Sequence, residues 1–176
     1  MKIIFLLVSV AFFQSADAQD FCSLIKKEVS PGRTIYDYSS PFNPLEVPSI
    51  RVTRSYGTDP DFATDNFYLI FQVVGDLETI YLKTDTGQIE KEEFRLVVEF
   101  DDKSKMVDDT VKISHDFTAD RTQAIRYAYY PVSEAAAKDF STKKIAKFSL
   151  AGFAEPVIAD SANAVMHYVQ CMKALK

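Results

Sequence analysis

The chain has 176 residues, a formal net charge of −5 and lysines and arginines scattered along its length. It therefore lacks the basic patch that a nucleic-acid-binding surface requires, and we predict no nucleic-acid partner. A chain of this length suits one globular domain with its own core and leaves little room for two.

Residues 1–18 carry the features of a cleaved secretory signal. A lysine precedes an apolar run, and the segment ends in Ala16-Asp17-Ala18, which has the small residues of a cleavage site. The apolar run is too short to cross a bilayer, and no later segment is long enough. We therefore expect an exported protein, periplasmic or secreted, whose mature chain is a single domain over residues 19–176 without a transmembrane segment.

The first part of the mature chain predicts a short helix followed by a loop. Asp20–Val29 has its apolar residues at helical spacing, and Pro31-Gly32 ends the pattern. The Tyr36–Pro44 segment contains two prolines. Because proline disfavours a central strand, this segment predicts an edge segment or a packed loop.

From Ser49 the apolar residues recur with a period of two, which is typical of β-strands. Asn66–Val74 is apolar on both faces and predicts a central strand that is covered on both sides. Turns separate the segments, and this pattern favours an antiparallel sandwich or barrel. The predicted strands are Ser49–Tyr56, Asn66–Val74, Thr79–Lys83, Phe94–Phe100, Met106–Val107, Val111–Phe117, Ile125–Tyr130 and Lys143–Leu150.

Two segments near the C-terminus depart from the strand pattern. Ser133–Phe140 begins with a serine suited to an N-cap and continues with alanines, so it predicts a short helix. Ile158–Leu175 is amphipathic and predicts a long helix that carries Cys171. Cys22 is the only other cysteine, and in an exported chain an even number of cysteines favours a disulfide between them.

The predicted fold is mainly β, an antiparallel β-sandwich of about seven or eight strands, with a short N-terminal helix and a long C-terminal helix joined by a disulfide. The acidic hairpin tip Glu99–Lys105, the strand end Tyr129–Ser133, the stretch Lys143–Ser149 and the cysteine-bearing terminal helix resemble small exported β-sandwich proteins of Bacteroidota, most of them uncharacterised. The resemblance extends from about Asn66 to Cys171. It implies a β-sandwich fold and a cell-envelope location, and it carries over no catalytic residue.

Tyrosines are the strongest candidates for a binding site. The chain has nine tyrosines and no tryptophan, and exposed aromatic rings commonly bind a glycan or a protein partner. Packing in the core or at a sheet edge is the alternative role for aromatic residues that alternate along strands. The candidate ligand-binding aromatics are Tyr36, Tyr38, Tyr56, Tyr127, Tyr129 and Tyr130.

Four aspartates that flank one predicted hairpin tip are weak candidates for calcium ligands, since calcium prefers carboxylate oxygens. Their spacing matches no calcium-binding loop, and a solvated acidic turn is the alternative. The only two histidines, His115 and His167, lie on different elements and do not supply the ligands of a zinc site. We predict no resident metal or other cofactor. The four aspartates are Asp101, Asp102, Asp108 and Asp109.

The sequence carries no catalytic motif, so we predict a non-enzymatic binding or structural module of the cell envelope, with an unknown protein or glycan as its partner. One alternative is a small secreted hydrolase, whose site would be a deep pocket with perturbed titratable groups. A second alternative is a calcium-dependent adhesion or carbohydrate-binding module that uses the four aspartates.

Overall fold

The computed structural model describes residues 21–40, 49–60, 65–76, 95–120 and 122–174, except for the side chains of residues 75 and 76. The predicted signal segment over residues 1–18 and the predicted strand Thr79–Lys83 lie outside the described residues. The described part forms ten β-strands and two α-helices. They are β1 (Lys26–Ser30), β2 (Arg33–Ser39), β3 (Ile50–Gly57), β4 (Asn66–Asp76), β5 (Leu96–Phe100), β6 (Lys105–Asp108), β7 (Ile113–Phe117), β8 (Gln123–Pro131), α1 (Glu134–Thr142), β9 (Ile145–Leu150), β10 (Phe153–Pro156) and α2 (Ala159–Ala174).

The strands form two antiparallel sheets. The larger sheet has six strands in the order β1-β2-β3-β4-β8-β7, and the smaller has four in the order β10-β9-β5-β6. Phe71 of β4 and Phe148 of β9 meet between the sheets, with ring centroids 5.2 Å apart. The prediction of a mainly β, antiparallel sandwich is therefore confirmed, although the described part already contains ten strands.

Alternating apolar side chains build the core between the sheets. Leu96, Val98 and Phe100 of β5 are buried, as their period of two predicts. From the facing sheet, Leu69 and Phe71 of β4 are fully buried as well. Each of these side chains stabilises the fold by about 1.5–3 kcal/mol relative to an exposed position.

Helix α2 completes the layer that covers the larger sheet. It packs against β3 and α1, and its Tyr168 hydroxyl donates a hydrogen bond of 2.7 Å to the backbone oxygen of Tyr36 in β2. Cys171, in the last turns of α2, forms a disulfide with Cys22. The predicted C-terminal helix and disulfide are both confirmed. No helix in the described ranges has the length and apolar character needed to cross a membrane.

The prediction for the N-terminal segment was wrong in its secondary structure. Among the described residues of Asp20–Val29 only Phe21 and Cys22 are helical, and Lys26–Ser30 is the edge strand β1. In the segment Tyr36–Pro44, predicted as an edge segment or a loop, Tyr36–Ser39 instead belongs to β2, which lies between β1 and β3, while residues 41–44 lie outside the described residues. Pairing of β1 with β2 outweighs the local helical spacing of Asp20–Val29, and β2 ends before the first proline of the Tyr36–Pro44 segment.

Among the described residues, the central strand β4 is covered on one side rather than on the predicted two. Its inward residues Leu69 and Phe71 are buried under the smaller sheet, whereas Tyr68 and Ile70, on the opposite face, are half-buried. No strand or helix of the described part of the chain lies over that opposite face. We call it the outer face of the larger sheet, and the face under the smaller sheet and α2 the inner face.

Candidate functional site

The outer face contains a groove of about 480 Å³. Its centre is a row of cross-strand neighbours in which Arg51 of β3 and Tyr129 of β8 both lie opposite Ile70 of β4. Because side chains alternate along a strand, every second residue of these strands points to this face. We call this surface the outer groove, and it is lined by Arg33, Ile35, Arg51, Thr53, Ser55, Tyr68, Ile70 and Tyr129.

Arg51 is held in a fixed orientation at the outer groove. Its Nε and Nη2 donate to the two carboxylate oxygens of Asp37 at 2.9 and 2.8 Å, and the Thr53 hydroxyl donates to the same carboxylate at 2.6 Å. The Asp37 side chain is 12% exposed, while that of Arg51 is 53% exposed. The hydrogen bond to Asp37 raises the pKa of Arg51, so the groove has a permanently charged and oriented guanidinium in its wall.

Aromatic rings form the other wall of the outer groove. Tyr129 is 57% exposed, and Tyr127, on the same face of β8, packs edge-on against it with ring centroids 5.7 Å apart. Tyr68 contributes a third ring from β4. A tyrosine presents both an apolar ring and a hydroxyl that can form hydrogen bonds, which suits a partly wet binding surface.

The structure divides the six candidate tyrosines between two faces. Tyr127 and Tyr129 lie on the outer face, and the strand register turns the others inward. Burial raises the pKa of the inward-facing Tyr38 and Tyr130, as expected for core residues. The inward-facing tyrosines are Tyr36, Tyr38, Tyr56 and Tyr130.

The residues that join Tyr129 in the outer groove were missed by sequence reasoning. Tyr68 and Ile70 come from β4, and Arg51 comes from β3. Their common face follows from alternation within each strand, but their proximity depends on the register of β4 with both neighbours. That register joins distant parts of the chain, so the sequence carries no local signal for it.

A second concave region, the helix cleft, has a volume of about 1000 Å³ between α1, the end of α2 and strands β3 and β4. Arg54, whose side chain is 5% exposed, donates to both carboxylate oxygens of Asp65. Its Nη1 also donates to the backbone oxygen of Met172 in the last turn of α2. The hydrogen bond to Asp65 raises the pKa of Arg54. The guanidinium thus places a positive charge where the helix dipole is negative.

The helix cleft fits a structural role better than a hydrolytic one. Hydrolysis of a glycoside or an ester needs a nucleophile beside a base, or two carboxylates that converge on the substrate. Here both oxygens of Asp65 accept hydrogen bonds from Arg54, and the other carboxylate of the described lining is Glu134, an exposed residue in the first turn of α1. The Asp65 carboxylate is therefore occupied by its ion pair with Arg54.

The acidic pairs proposed as calcium ligands do not meet. Asp108 lies opposite Leu96, at the start of β5, whereas Asp101 follows the end of that strand. The nearest members of the two pairs are five residues apart along β5, which is roughly 16 Å at the rise of a β-strand. No group of three or more His, Cys, Asp or Glu able to hold a metal ion occurs in the part of the chain that the structure describes.

Each of the four aspartates instead binds a donor of the protein itself. Asp101 accepts from the backbone nitrogen of Lys144, Asp102 from Ser104, Asp108 from Thr110 and Asp109 from Arg95. The hairpin geometry therefore favours acidic turns stabilised by local hydrogen bonds.

The pKa of the Asp102 carboxyl is expected to lie well below that of an ordinary aspartate. The Ser104 hydroxyl, the Ser104 backbone N–H and the Lys143 ammonium lower the pKa of Asp102 from 3.8 to about 2. Because the folded pKa is the lower one, the turn gains stability from this carboxylate above pH 4, and loses it as the pH falls towards about 2. A carboxyl-carbon NMR titration should give a midpoint near the lower value. Ser104→Ala should move the midpoint upward, and an unchanged midpoint would exclude Ser104 as the main cause.

The outer groove is the concave surface that best fits a binding site. It combines an oriented charge, the exposed ring of Tyr129, the half-buried ring of Tyr68 and two isoleucines on a face that no described element covers. Comparisons of the chain with protein-family models, with curated proteins and with solved structures find no match. Support for a function therefore comes from the sequence and geometry of this chain.

Proposed function

We propose that this protein is an exported, non-enzymatic binding module that docks a protein partner of the cell envelope in its outer groove. The residue types of the groove lining are the observation that carries this proposal. The lining consists of two arginines, two tyrosines, two isoleucines, a threonine and a serine. Cores of protein–protein interfaces are enriched in tyrosine and arginine and depleted in lysine, aspartate and glutamate, and the same two enriched residues dominate binding hot spots.

The groove is also organised before any partner arrives. Arg51 is already oriented by Asp37 and Thr53, and the Tyr129 ring is braced by Tyr127. Side chains that are ordered in the free protein lose less conformational entropy on binding. Arg51 and Tyr129 both lie on strands of the larger sheet. We therefore expect a partner to dock with little change in the backbone.

Export of the protein belongs to the same proposal. The signal-like features of residues 1–18 support it, and so does the Cys22–Cys171 disulfide, because disulfides persist in oxidising compartments. The resemblance to exported β-sandwich proteins of Bacteroidota agrees with this location and stays a prediction.

Truncating Tyr129 is expected to weaken binding of the partner by about 30-fold or more, since a central tyrosine of an interface contributes about 2 kcal/mol. Envelope proteins retained by the immobilised wild-type protein would be purified, whether or not Tyr129→Ala also retains them. Their dissociation constants for both forms would then be measured by calorimetric titration. The measured ratio is the test, because retention on a column does not establish a specific contact.

The matched control is Val107→Ala. Val107 is 52% exposed on β6 of the other sheet, so it tests whether loss of any exposed apolar side chain weakens binding. A purified partner that binds wild type and Tyr129→Ala within two-fold, on the order of experimental error, would contradict docking in the outer groove. Melting-temperature increases with peptidoglycan fragments that disappear in Tyr129→Ala would identify a glycan site and overturn the protein-partner proposal.

A further inference from the structure

In the described part of the chain the two sheets have four edge strands, and three of them carry residues that discourage strand addition. Strand β1 contains Lys26 and Lys27, β6 begins with Lys105, and β10 ends with Pro156. Lysine and proline are the usual means of protecting an exposed edge. Strand β7, with the sequence Ile-Ser-His-Asp-Phe, contains neither. Within the described ranges it pairs on one side only, with β8.

The hydrogen-bonding phase of β7 shows which backbone groups face its open side. Just beyond the strand, the Thr118 N–H donates to the backbone oxygen of Gln123 at 2.9 Å. In an antiparallel pair, residues alternate between those bonded to the neighbouring strand and those pointing away from it. Counting back from Thr118, the residues of β7 whose N–H and C=O groups point away from β8 are Ile113, His115 and Phe117.

Phe117 confirms this phase and marks the edge as accessible. Its N–H donates no hydrogen bond to β8 and instead donates to the carboxylate of the adjacent Asp116 at 2.7 Å. The Phe117 ring is 42% exposed, a large apolar surface on an open strand edge. Four of the five residues of β7 are exposed.

We propose that β7 pairs antiparallel with β7 of a second copy of this chain, about a two-fold axis at His115. In this register Ile113 lies opposite Phe117 of the second copy, and Ser114 lies opposite Asp116. His115 lies opposite His115 of the second copy. Every residue with outward backbone groups meets another such residue, so the ladder of hydrogen bonds continues across the axis.

The side chains of β7 are complementary in this register. Ile113 and Phe117 form two symmetric apolar pairs on the inner-face side, which cover the exposed Phe117 ring. On the outer-face side the Ser114 hydroxyl can donate to the Asp116 carboxylate. Such cross-strand pairs each contribute about 0.2–1 kcal/mol. A self-complementary patch of this kind is what a two-fold interface requires.

The pairing joins two larger sheets into one sheet of twelve strands, six from each copy. Because residues opposite one another share a face, the two outer faces lie on the same side of the joined sheet. If the outer groove binds as proposed above, the dimer presents two grooves in one direction. The pairing itself does not depend on that function.

Sedimentation equilibrium of the purified, oxidised protein should show the mass rising from one chain to two between about 1 μM and about 1 mM, the range for a small interface. Phe117→Asp should weaken association at least ten-fold, because it removes both apolar pairs. His115→Pro should do the same, since it removes an outward N–H without removing a hydrogen bond to β8. Val29→Asp is the matched control, since Val29 is 71% exposed on β1, the opposite edge of the same sheet.

Melting temperatures of the three variants within a few degrees of wild type would show that the fold is kept. A single-chain mass at every concentration would overturn the proposal. So would association that both β7 variants leave intact, or that Val29→Asp weakens equally. Hydrogen exchange gives a second readout, because the amides of His115 and Phe117 should gain protection as concentration rises. Tyr129→Ala should leave the mass unchanged, so failure of the groove proposal and failure of this one are distinguishable.

Discussion

Replacing both cysteines, as Cys22→Ser with Cys171→Ser, is expected to lower the free energy of unfolding by about 3–5 kcal/mol. The disulfide joins residues separated by 149 positions. In the chain-entropy model, a cross-link of that length destabilises the unfolded state by about 5 kcal/mol, and residual structure in the unfolded chain reduces this value. Urea denaturation of the oxidised wild type and the double variant would measure the difference.

Urea denaturation of the reduced wild type separates the effect of losing the disulfide from the effect of introducing serine. Cys171 is 4% exposed, so a serine hydroxyl there adds a cost of its own, whereas reduction leaves both sulfurs in place. We expect reduced wild type to lose most of the stability that the double variant loses. A loss of less than about 1 kcal/mol on reduction would mean that packing of α2 alone holds the two ends of the domain together.

Local patterns predicted the elements whose residues are buried on one side. The alternation in β5 identified a strand because Leu96, Val98 and Phe100 all face the core. The long amphipathic stretch predicted α2 to within one residue at each end, Ala159–Ala174 against Ile158–Leu175. In both elements, burial on one side imposes the period that the sequence shows.

The edge strand β1 could not be predicted in the same way. All five of its residues, Lys26–Ser30, are exposed, so no face of the strand selects apolar residues and no period of two arises. Its neighbour β2 is held by a register with β3 that includes Tyr38 opposite Val52. Such pairings depend on distant sequence, and the helical spacing of the N-terminal apolar residues is a weaker, local preference.

For the candidate tyrosines, one feature could have been predicted from the sequence and another could not. Tyr129 and Tyr130 are adjacent in one strand, so alternation alone puts them on opposite faces, and this could have been predicted from the sequence. The positions of Tyr129 and Arg51 on either side of Ile70 could not have been predicted from the sequence. It requires the order of three strands in the sheet, which is a property of the whole fold.

Arg54→Met is expected to lower the free energy of unfolding by about 2 kcal/mol, less than the cost of breaking a fully buried ion pair, because Asp65 is 37% exposed and regains water. Arg54 interrupts an otherwise apolar inner face of β3, and the structure shows why it is tolerated there. Its guanidinium satisfies both oxygens of Asp65 and the backbone oxygen of Met172. Methionine has similar length, so the change removes the charge and its hydrogen bonds while leaving most of the packing.

Arg95→Met is the matched control for Arg54→Met. Arg95 pairs with Asp109, but both side chains are exposed, at 44% and 64%, so its loss should cost less than about 1 kcal/mol. Adding Asp65→Asn to Arg54→Met should recover part of the loss, because no carboxylate then lacks its cation. The backbone oxygen of Met172 lacks its Arg54 donor in the single variant and in the double variant. Faster amide exchange in the last turn of α2 should therefore occur in both of them. Equal effects of Arg54→Met and Arg95→Met in urea denaturation would show that the ion pair with Asp65 does not stabilise the end of α2.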